Sequence, residues 1–296
     1  DDKKTAIHPH RESNLSEMKT DKYLPLSFSS LKAFAESPRA FVHYKSGARV
    51  TSPAMLKGTL IHRRILEPTE YIHTVEVWEG RRAGKAWTDF KEAQAGKDVV
   101  TRAESDVIEG AFHAVQAHPI AKDLIEGCTN YEEGVTWKLD GVPFRGFVDG
   151  YGEHYALDLK TMPDISPKAI ERQVWGFKYF MQAALYRRGL HERGVEMKDY
   201  YVVAVQASAP HNVAVYRLDD AYLHRGDLLA RELLEQFKGW DGKPTHHPES
   251  LAGVIALDSP SYAPPLELNV KREVYADKRK GEGETIRTPD GSDVGA

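Results

Sequence analysis

The stretch from Tyr131 to Thr161 constrains this chain more than any other part of it. Three runs, Tyr131 to Leu139, Val142 to Tyr151 and His154 to Thr161, read as strands, separated by Asp140-Gly141 and by Gly150-Tyr151-Gly152, residues that accept the backbone angles of hairpin turns. Connections this short predict an antiparallel meander. Inside it lie Arg145-Gly-Phe-Val-Asp149 and, after eight residues, Asp158-Leu159-Lys160-Thr161. Strand side chains alternate faces, so Tyr155, Leu157 and Leu159 turn to a core while Ala156, Asp158 and Lys160 share the opposite face.

The flanking sequence supplies helices. Leu31, Phe34, Ala35, Phe41 and Val42 recur at helical spacing from Ser27 to Tyr44, with an interruption at Ser37-Pro38 that predicts two short helices. Ser52-Pro53 reads as a helix cap followed by proline at the first helical position, starting a helix that carries His62 and stops at Pro68. A β-like run is expected from Tyr71 to Trp78, a mobile basic loop from Gly80 to Lys85 with helix after it, and a helix from Glu104 to Ile125 broken or bent near His118-Pro119. One long helical stretch (Pro167 to Leu190), two strands (Tyr200 to Ala207 and Asn212 to Leu218) and an amphipathic helix (about Ala221 to Phe237) follow. The expected fold class is α/β, a central mixed sheet flanked by helices. Residues 1–22 read as a flexible lead-in, 23–240 as one folded domain, 241–270 as an extended proline-containing segment and 271–296 as a disordered tail.

Composition narrows the function classes. With 41% hydrophobic and 28% charged residues among 296, the chain can bury a sizeable core, so wholesale disorder is excluded. The single cysteine, Cys128, cannot form an intrachain disulfide or hold an iron-sulfur cluster, and it predicts a reducing compartment. No apolar run approaches the roughly 20 residues of a membrane helix, and the opening Asp1-Asp2-Lys3-Lys4 has no signal-like apolar region. A cytoplasmic location is therefore expected. The net charge of -4 argues against a generic polyanion binder, although residues 31–91 hold 11 Lys/Arg against 6 Asp/Glu. Gly80 to Lys85 is one residue short of a phosphate-binding loop and is followed by Ala86 where Ser or Thr is needed. The absence of H-E-x-x-H, C-x-x-C and G-x-S-x-G disfavours zinc protease, redox and serine hydrolase chemistry.

Two carboxylates, Asp149 and Asp158, with an inward carbonyl from Leu159, suit a hard, oxygen-seeking cation such as Mg2+. Such an ion recruits phosphate, and Lys160 stands where it can position an attacking water. Phosphodiester hydrolysis needs an activated water, charge stabilisation and help for the leaving oxygen, all of which one or two bound metals can serve.

At this point the sequence resembles the PD-(D/E)xK nuclease superfamily, and within it the RecE-type (exonuclease VIII) phage exonucleases with their RecB-group relatives. The likeness spans most of residues 24–240. It rests on Ser30-Leu31 with Ser37-Pro38, Gly58-Thr59-Leu60-Ile61-His62 with Leu66-Glu67-Pro68, Glu132 ahead of Trp137, Arg145 with Asp149, Asp158-Leu159-Lys160-Thr161, and Gln182-Ala183-Ala184-Leu185-Tyr186. The resemblance implies a restriction-endonuclease-like core with Asp149 and Asp158 as metal ligands, Lys160 as catalytic lysine and His62 as ligand or support of a second metal. Glu132 is preferred over Glu133 as the further acid by its spacing to Trp137. Gln182 and Tyr186, four apart on one helix face, would buttress the site or touch DNA, or simply pack the helix. Arg81, Arg82 and Lys85, beside Trp87, form a candidate DNA-tracking loop, with Arg145 and Thr161 as further candidate DNA contacts. Arg145 reads equally well as an ion-pair partner.

The resemblance further implies a Mg2+-dependent exonuclease (Mn2+ tolerated) that digests linear double-stranded DNA from its ends, 5' to 3', leaving 3' single strands for phage-type recombination. A ring-like homo-oligomer, a single-strand annealing or recombinase partner, and a bacterial host or prophage origin go with it, and no membrane. The alternatives are an endonuclease or single-strand nuclease of the same superfamily, and a non-catalytic DNA-binding or assembly module.

Overall fold

Serine and proline set where the first helices begin. Ser27 caps α1 (Phe28–Glu36) in a reciprocal box with Ser30, Ser37 caps α2 (Pro38–Lys45) and Ser52 caps α3 (Pro53–Leu66), the last two with proline in the first turn. The computed structural model describes residues 20–47 and 52–244. The lead-in expected over 1–22 therefore lies outside the described residues up to position 19. Thr20 is buried and Asp21–Tyr23 form a 3-10 turn. The tail expected over 271–296 and the extended segment beyond residue 244 also lie outside the described residues.

Pro68 stops α3 and starts α4 (Pro68–Thr74). The β-like run expected from Tyr71 is thereby corrected: its first four residues complete a proline-started helix with Tyr71 buried, and only β1 (Val75–Trp78) is strand. After α5 (Lys85–Ala93), β2 (Asp98–Thr101) pairs parallel with β1 as a separate small sheet. Helices α6 (Arg102–Ala117) and α7 (Pro119–Glu126) meet at the expected His118-Pro119 break.

The main sheet follows. Strands β3 (Asn130–Leu139), β4 (Val142–Tyr151) and β5 (Tyr155–Met162) form the expected meander. The single long helix expected next is two, α8 (Pro167–Gly176) and α9 (Tyr179–Glu192), because Lys178 adopts left-handed angles (φ 59°) between them. They form the crossover to β6 (Asp199–Gln206), which runs parallel to β5, and β7 (Val213–Leu218) then pairs antiparallel with β6 before α10 (Asp220–Gly239). The sheet order is β3-β4-β5-β6-β7, a mixed sheet.

Each face of this sheet has its own core. Residues of α1, α9 and α10, such as Phe34, Leu185 and Phe237, pack with Trp137, Phe144, Ala156 and Met162 on one side. Residues of α3, α6 and α7, such as Ile61, Ile108 and Ile125, pack with Leu157, Leu159, Val203 and Val205 on the other. Strand β5 is thus covered on both faces, which is why Asp158, placed as expected opposite Leu157 and Leu159, is only 1% exposed. Among the described residues no helix is long and apolar enough to cross a membrane.

Helix α10 lies directly against α9 at Gly226, where an added Cβ would stand 2.1 Å from the Phe180 carbonyl oxygen. Backbone cannot swing aside as a side-chain tip can. Gly226→Ala is expected to push the two helices apart and lower unfolding free energy by about 1–3 kcal/mol, the usual cost of overpacking, measured by urea denaturation. Unchanged stability would refute the close approach.

Candidate metal centre

The site forms where the sheet comes apart. Strands β4 and β5 are paired only at Gly150↔Leu157 and Tyr151↔Ala156. The next rung would join Asp149 to Asp158, and there the strands diverge. The Leu159 N–H, which has lost that ladder, instead donates to Asp149 Oδ2 at 2.8 Å. On the other side of β4 the ladder also skips Glu132 and Asp149, which face each other between the paired rungs Tyr131↔Gly150 and Glu133↔Val148. Register therefore lines Glu132, Asp149 and Asp158 across three neighbouring strands.

Glu132 has left-handed angles (φ 45°), a conformation that costs a non-glycine residue about 1–3 kcal/mol. Its effect is visible in the packing. Tyr131 packs against the core under α3 and α6, whereas Val135, Trp137 and Leu139, which an unbroken pleat would put on the same face, belong to the other core. The pleat changes phase at Glu132, and this local fault turns its carboxylate toward Asp149 and the helix above.

That helix is α3. It rides close to β5 because residue 58 is glycine: a Cβ there would meet Thr161 Oγ1 at 3.0 Å. The approach brings His62 over the fork, with Nδ1 3.8 Å from Asp149 Oδ2. Ligand atoms of His62, Glu132 and Asp149 all lie within 4.8 Å of one another. His62 and Glu132 line an open cavity of about 540 Å³, whose walls also include Gly58, Arg63, Glu67 and Thr161.

Asp158 stands apart from this trio. Its Oδ1 accepts a 3.0 Å hydrogen bond from Gln182 Nε2, and its Oδ2 is 2.5 Å from Lys160 Nζ. Of the expected ligands, the structure groups His62 and Asp149, adds to them Glu132, expected only as a further acid, and commits Asp158 to its lysine and glutamine. Gln182, 7% exposed, is a buttress of Asp158, while Tyr186 packs edge-on against Trp137.

The electrostatics follow from burial and crowding. Burial, reinforced by Lys160, pulls the His62 pKa down to about 4, so its imidazole is neutral and able to ligate near pH 7. Burial pushes Glu132 up to about 8, with Asp149, Glu67 and Asp158 adding repulsion. Asp149 is raised by burial, and Asp158 reaches about 6 because burial and Asp149 outweigh Lys160. Burial alone would lower Lys160, but Asp158 and Asp149 more than offset it and hold the ammonium charged. A neutral imidazole beside mutually repelling carboxylates is a donor set that a divalent cation would stabilise, and it fits an oxygen- and nitrogen-binding ion.

The expected DNA contacts are scattered. Thr161 lines the site cavity. Arg145 is exposed in a second cavity with Ser27, Lys45 and Tyr186. Arg82 is tied down, 2.5 Å from Glu104 Oε2 and donating to the Val99 carbonyl, so it fastens its loop to α6. Arg81 is exposed on that loop, and Lys85, also exposed, opens α5 after it. Sequence reasoning missed Glu67, which lies five residues after His62, directly past the end of α3, and faces the same cavity, and Tyr179, whose ring lies under Lys160 Nζ at 4.8 Å. The Gly-to-Pro string around His62 held the signal for Glu67.

A mixed sheet covered by helices on both faces, opening into a fork that presents acids and a lysine, defines a PD-(D/E)xK-like α/β core. Residues 27–248 match the family described as a PDDEXK-like domain of unknown function (DUF3799), and the chain belongs to that family. No curated protein matches it. Among solved structures, the chain is similar in fold to a protein described as a "putative exonuclease" from Eubacterium rectale, at 15% identity and a TM-score of 0.52 over 86% of this chain and 96% of that one. The structure of SSO0001 aligns over 46% of this chain and 69% of its own at 17% identity, with a TM-score of 0.26 too low to carry an argument.

Proposed function

We propose that this protein is a divalent-metal-dependent DNA exonuclease that hydrolyses phosphodiester bonds of linear double-stranded DNA from an end, 5' to 3', leaving 3' single strands for phage-type recombination. The observation that carries the hydrolytic reading is the convergence of His62, Glu132 and Asp149 within 4.8 Å beside the Asp158–Lys160 ion pair. His62, Glu132 and Asp149, with the Leu159 carbonyl, would hold Mg2+ or Mn2+, and Asp158 would complete the acidic set. A bound ion would polarise the scissile phosphate and acidify the attacking water.

The protein's own groups do the rest. Asp158 keeps Lys160 charged and aims it, and Gln182 fixes Asp158 from behind. The Lys160 ammonium donates to a phosphate oxygen or to the water as negative charge builds on phosphorus. His62, neutral, can offer a ring nitrogen as a ligand once its N–H points away from the ion. Strong perturbation of several titratable groups in one cleft supports a reactive rather than a structural role.

End dependence and polarity rest on the RecE-type resemblance, and the similar Eubacterium rectale protein is itself described as a putative exonuclease. The same resemblance is the ground for proposing a homo-oligomeric ring, a single-strand annealing or recombinase partner, and action in bacterial cytoplasm. The test incubates the protein with linear 5'-phosphorylated duplex and the matching closed circle, with Mg2+ or EDTA, beside Asp158→Ala. Loss of the linear DNA alone, abolished by EDTA and by the substitution, is expected. Cutting of the circle assigns an endonuclease. No metal-dependent cutting of either DNA sinks the enzymatic reading and leaves a DNA-binding module.

A further inference from the structure

The junction of α8 and α9 carries a group of side chains that the hydrolytic site does not use. Trp175, Phe177 and Tyr179 alternate with Gly176 and Lys178. The left-handed Lys178 lets the chain turn sharply between the helices, and the turn leaves two large rings two residues apart in solvent, Phe177 49% and Trp175 42% exposed. Phe177 and Tyr179 stack, with centroids 5.8 Å apart and planes 20° from parallel. Tyr179 in turn lies 4.8 Å from Lys160 Nζ. A ladder of two rings therefore leads from solvent to the lysine of the fork.

Cations line the same ladder. Lys32, projecting from α1, has its Nζ 5.5 Å from the Phe28 ring and 5.8 Å from Phe177. Its pKa is lowered by burial and further by Lys160 and Lys178, with Glu36 as the opposing charge. Lys160 is balanced by Asp158, which leaves Lys32 and Lys178 as the cations beside the exposed Phe177 and the half-buried Tyr179, with Glu36 as the carboxylate that offsets Lys32. Stacked rings flanked by two cations are complementary to a partner that is anionic along its length and flat between its charges. Single-stranded nucleic acid has that chemistry, because its phosphates repeat and its unpaired bases each present a π face. A closed duplex hides those faces inside the stack.

We propose that Phe177 and Tyr179, with Lys32 and Lys178, form a stacking platform for an unpaired nucleotide of the strand entering the fork, so that the enzyme engages a frayed DNA end rather than an intact duplex. Phe177 takes the base and the two lysines take flanking phosphates. The inference deepens the proposed nuclease reading and rests on it for the direction of the strand, but the platform itself can be measured by binding alone.

The test compares the full chain with its Phe177→Ala, Phe177→Trp and Lys178→Ala variants. Fluorescence anisotropy with a labelled mixed-sequence single-stranded oligonucleotide, in Ca2+ so that binding is read without turnover, gives Kd. Gel assays in Mg2+ on a duplex with a frayed end and on the same duplex with a blunt G·C-rich end give KM. Phe177→Ala is expected to weaken single-strand binding about tenfold or more, the loss of one base–aromatic stack, and to raise KM on the frayed end by a similar factor. Phe177→Trp restores both, and Lys178→Ala weakens binding with a reduced salt dependence. If the unsubstituted protein binds and cuts DNA but Phe177→Ala binds the single strand equally well, the platform is refuted and the nuclease reading stands. If it binds the strand through Phe177 yet cuts nothing, the platform stands and the nuclease reading falls. If it neither binds nor cuts, both fall.

Discussion

Asp149→Asn is expected to slow metal-dependent DNA cutting by about a thousandfold or more while leaving the fold unchanged. The size follows from what the charge does: Lewis-acid catalysis is worth several kcal/mol of barrier, and each 1.36 kcal/mol is tenfold. Asp149 shares the trio with His62 and Glu132 and lies on the strand between those of Glu132 and Asp158, so its charge enters every interaction an ion would make there. The amide keeps an oxygen that can accept from the Leu159 N–H, and the fork is preserved. Circular dichroism and melting of the variant check the fold, and single-turnover cutting under saturating Mg2+ checks the rate. The matched control is Glu133→Gln. Glu133 lies one residue from Glu132 but bonds Tyr151 and Arg193 on the other face of the sheet, and an exposed pair of that kind is worth little. Its rate should stay within about twofold of the unsubstituted protein, since such pairs contribute about 0–1 kcal/mol to stability and nothing to the site. Equal losses from Asp149→Asn and Glu133→Gln would mean that the trio is not where the chemistry occurs.

That contrast between neighbouring glutamates shows how far local sequence carries. The turn Asp140-Gly141, with φ of 48° and 84°, is the two-residue hairpin its composition announces, and it pairs Leu139 with Val142. Counting back along the ladder puts Glu132, and not Glu133, opposite Asp149, so the third acid was legible from turn chemistry alone. His62 was legible as a helical residue. Its arrival over the fork was not, because that depends on Gly58 meeting Thr161, residues about a hundred positions apart. The left-handed angles at Glu132 and Lys178 are equally silent in the sequence, since neither residue type favours them and each is held there by surrounding packing. For Arg82 the positive charge was plain, and its neutralisation by Glu104 was a matter of tertiary contact. What local rules could not reach was how the two faces of the sheet come together at one rung.

Glu132→Gln separates the electrostatic cost of that rung from its use. In the metal-free protein the Glu132 pKa stands at about 8 against an ordinary 4.5, so the folded state holds its proton more tightly than the unfolded state does. Stability contributed by that proton is complete below about pH 4.5 and is lost as pH rises through 8. His62 is shifted the other way, from 6.5 to about 4, and its effect is finished above its unfolded value of 6.5. Asp158, at about 6, has largely ionised by pH 7, and Lys160 stays charged throughout. Between pH 7 and 8 the site's pH dependence therefore belongs chiefly to Glu132. In EDTA the unsubstituted protein is expected to lose melting temperature across that interval, while Glu132→Gln stays flatter and melts a few degrees higher at pH 8, about 2–4 °C per kcal/mol recovered. Saturating Mg2+ or Mn2+ should reverse the order, because an ion that binds only the folded state stabilises it by mass action and prefers the carboxylate to the amide. The unsubstituted protein then gains more from metal at pH 8 than at pH 7, and the variant gains less at either. Parallel melting curves for the two proteins in EDTA, with equal gains from metal, would place the ion and the proton on other groups. A variant that is more stable without metal and less stable with it is the signature of carboxylates crowded together to receive a cation, where folding stability has been given up for the site.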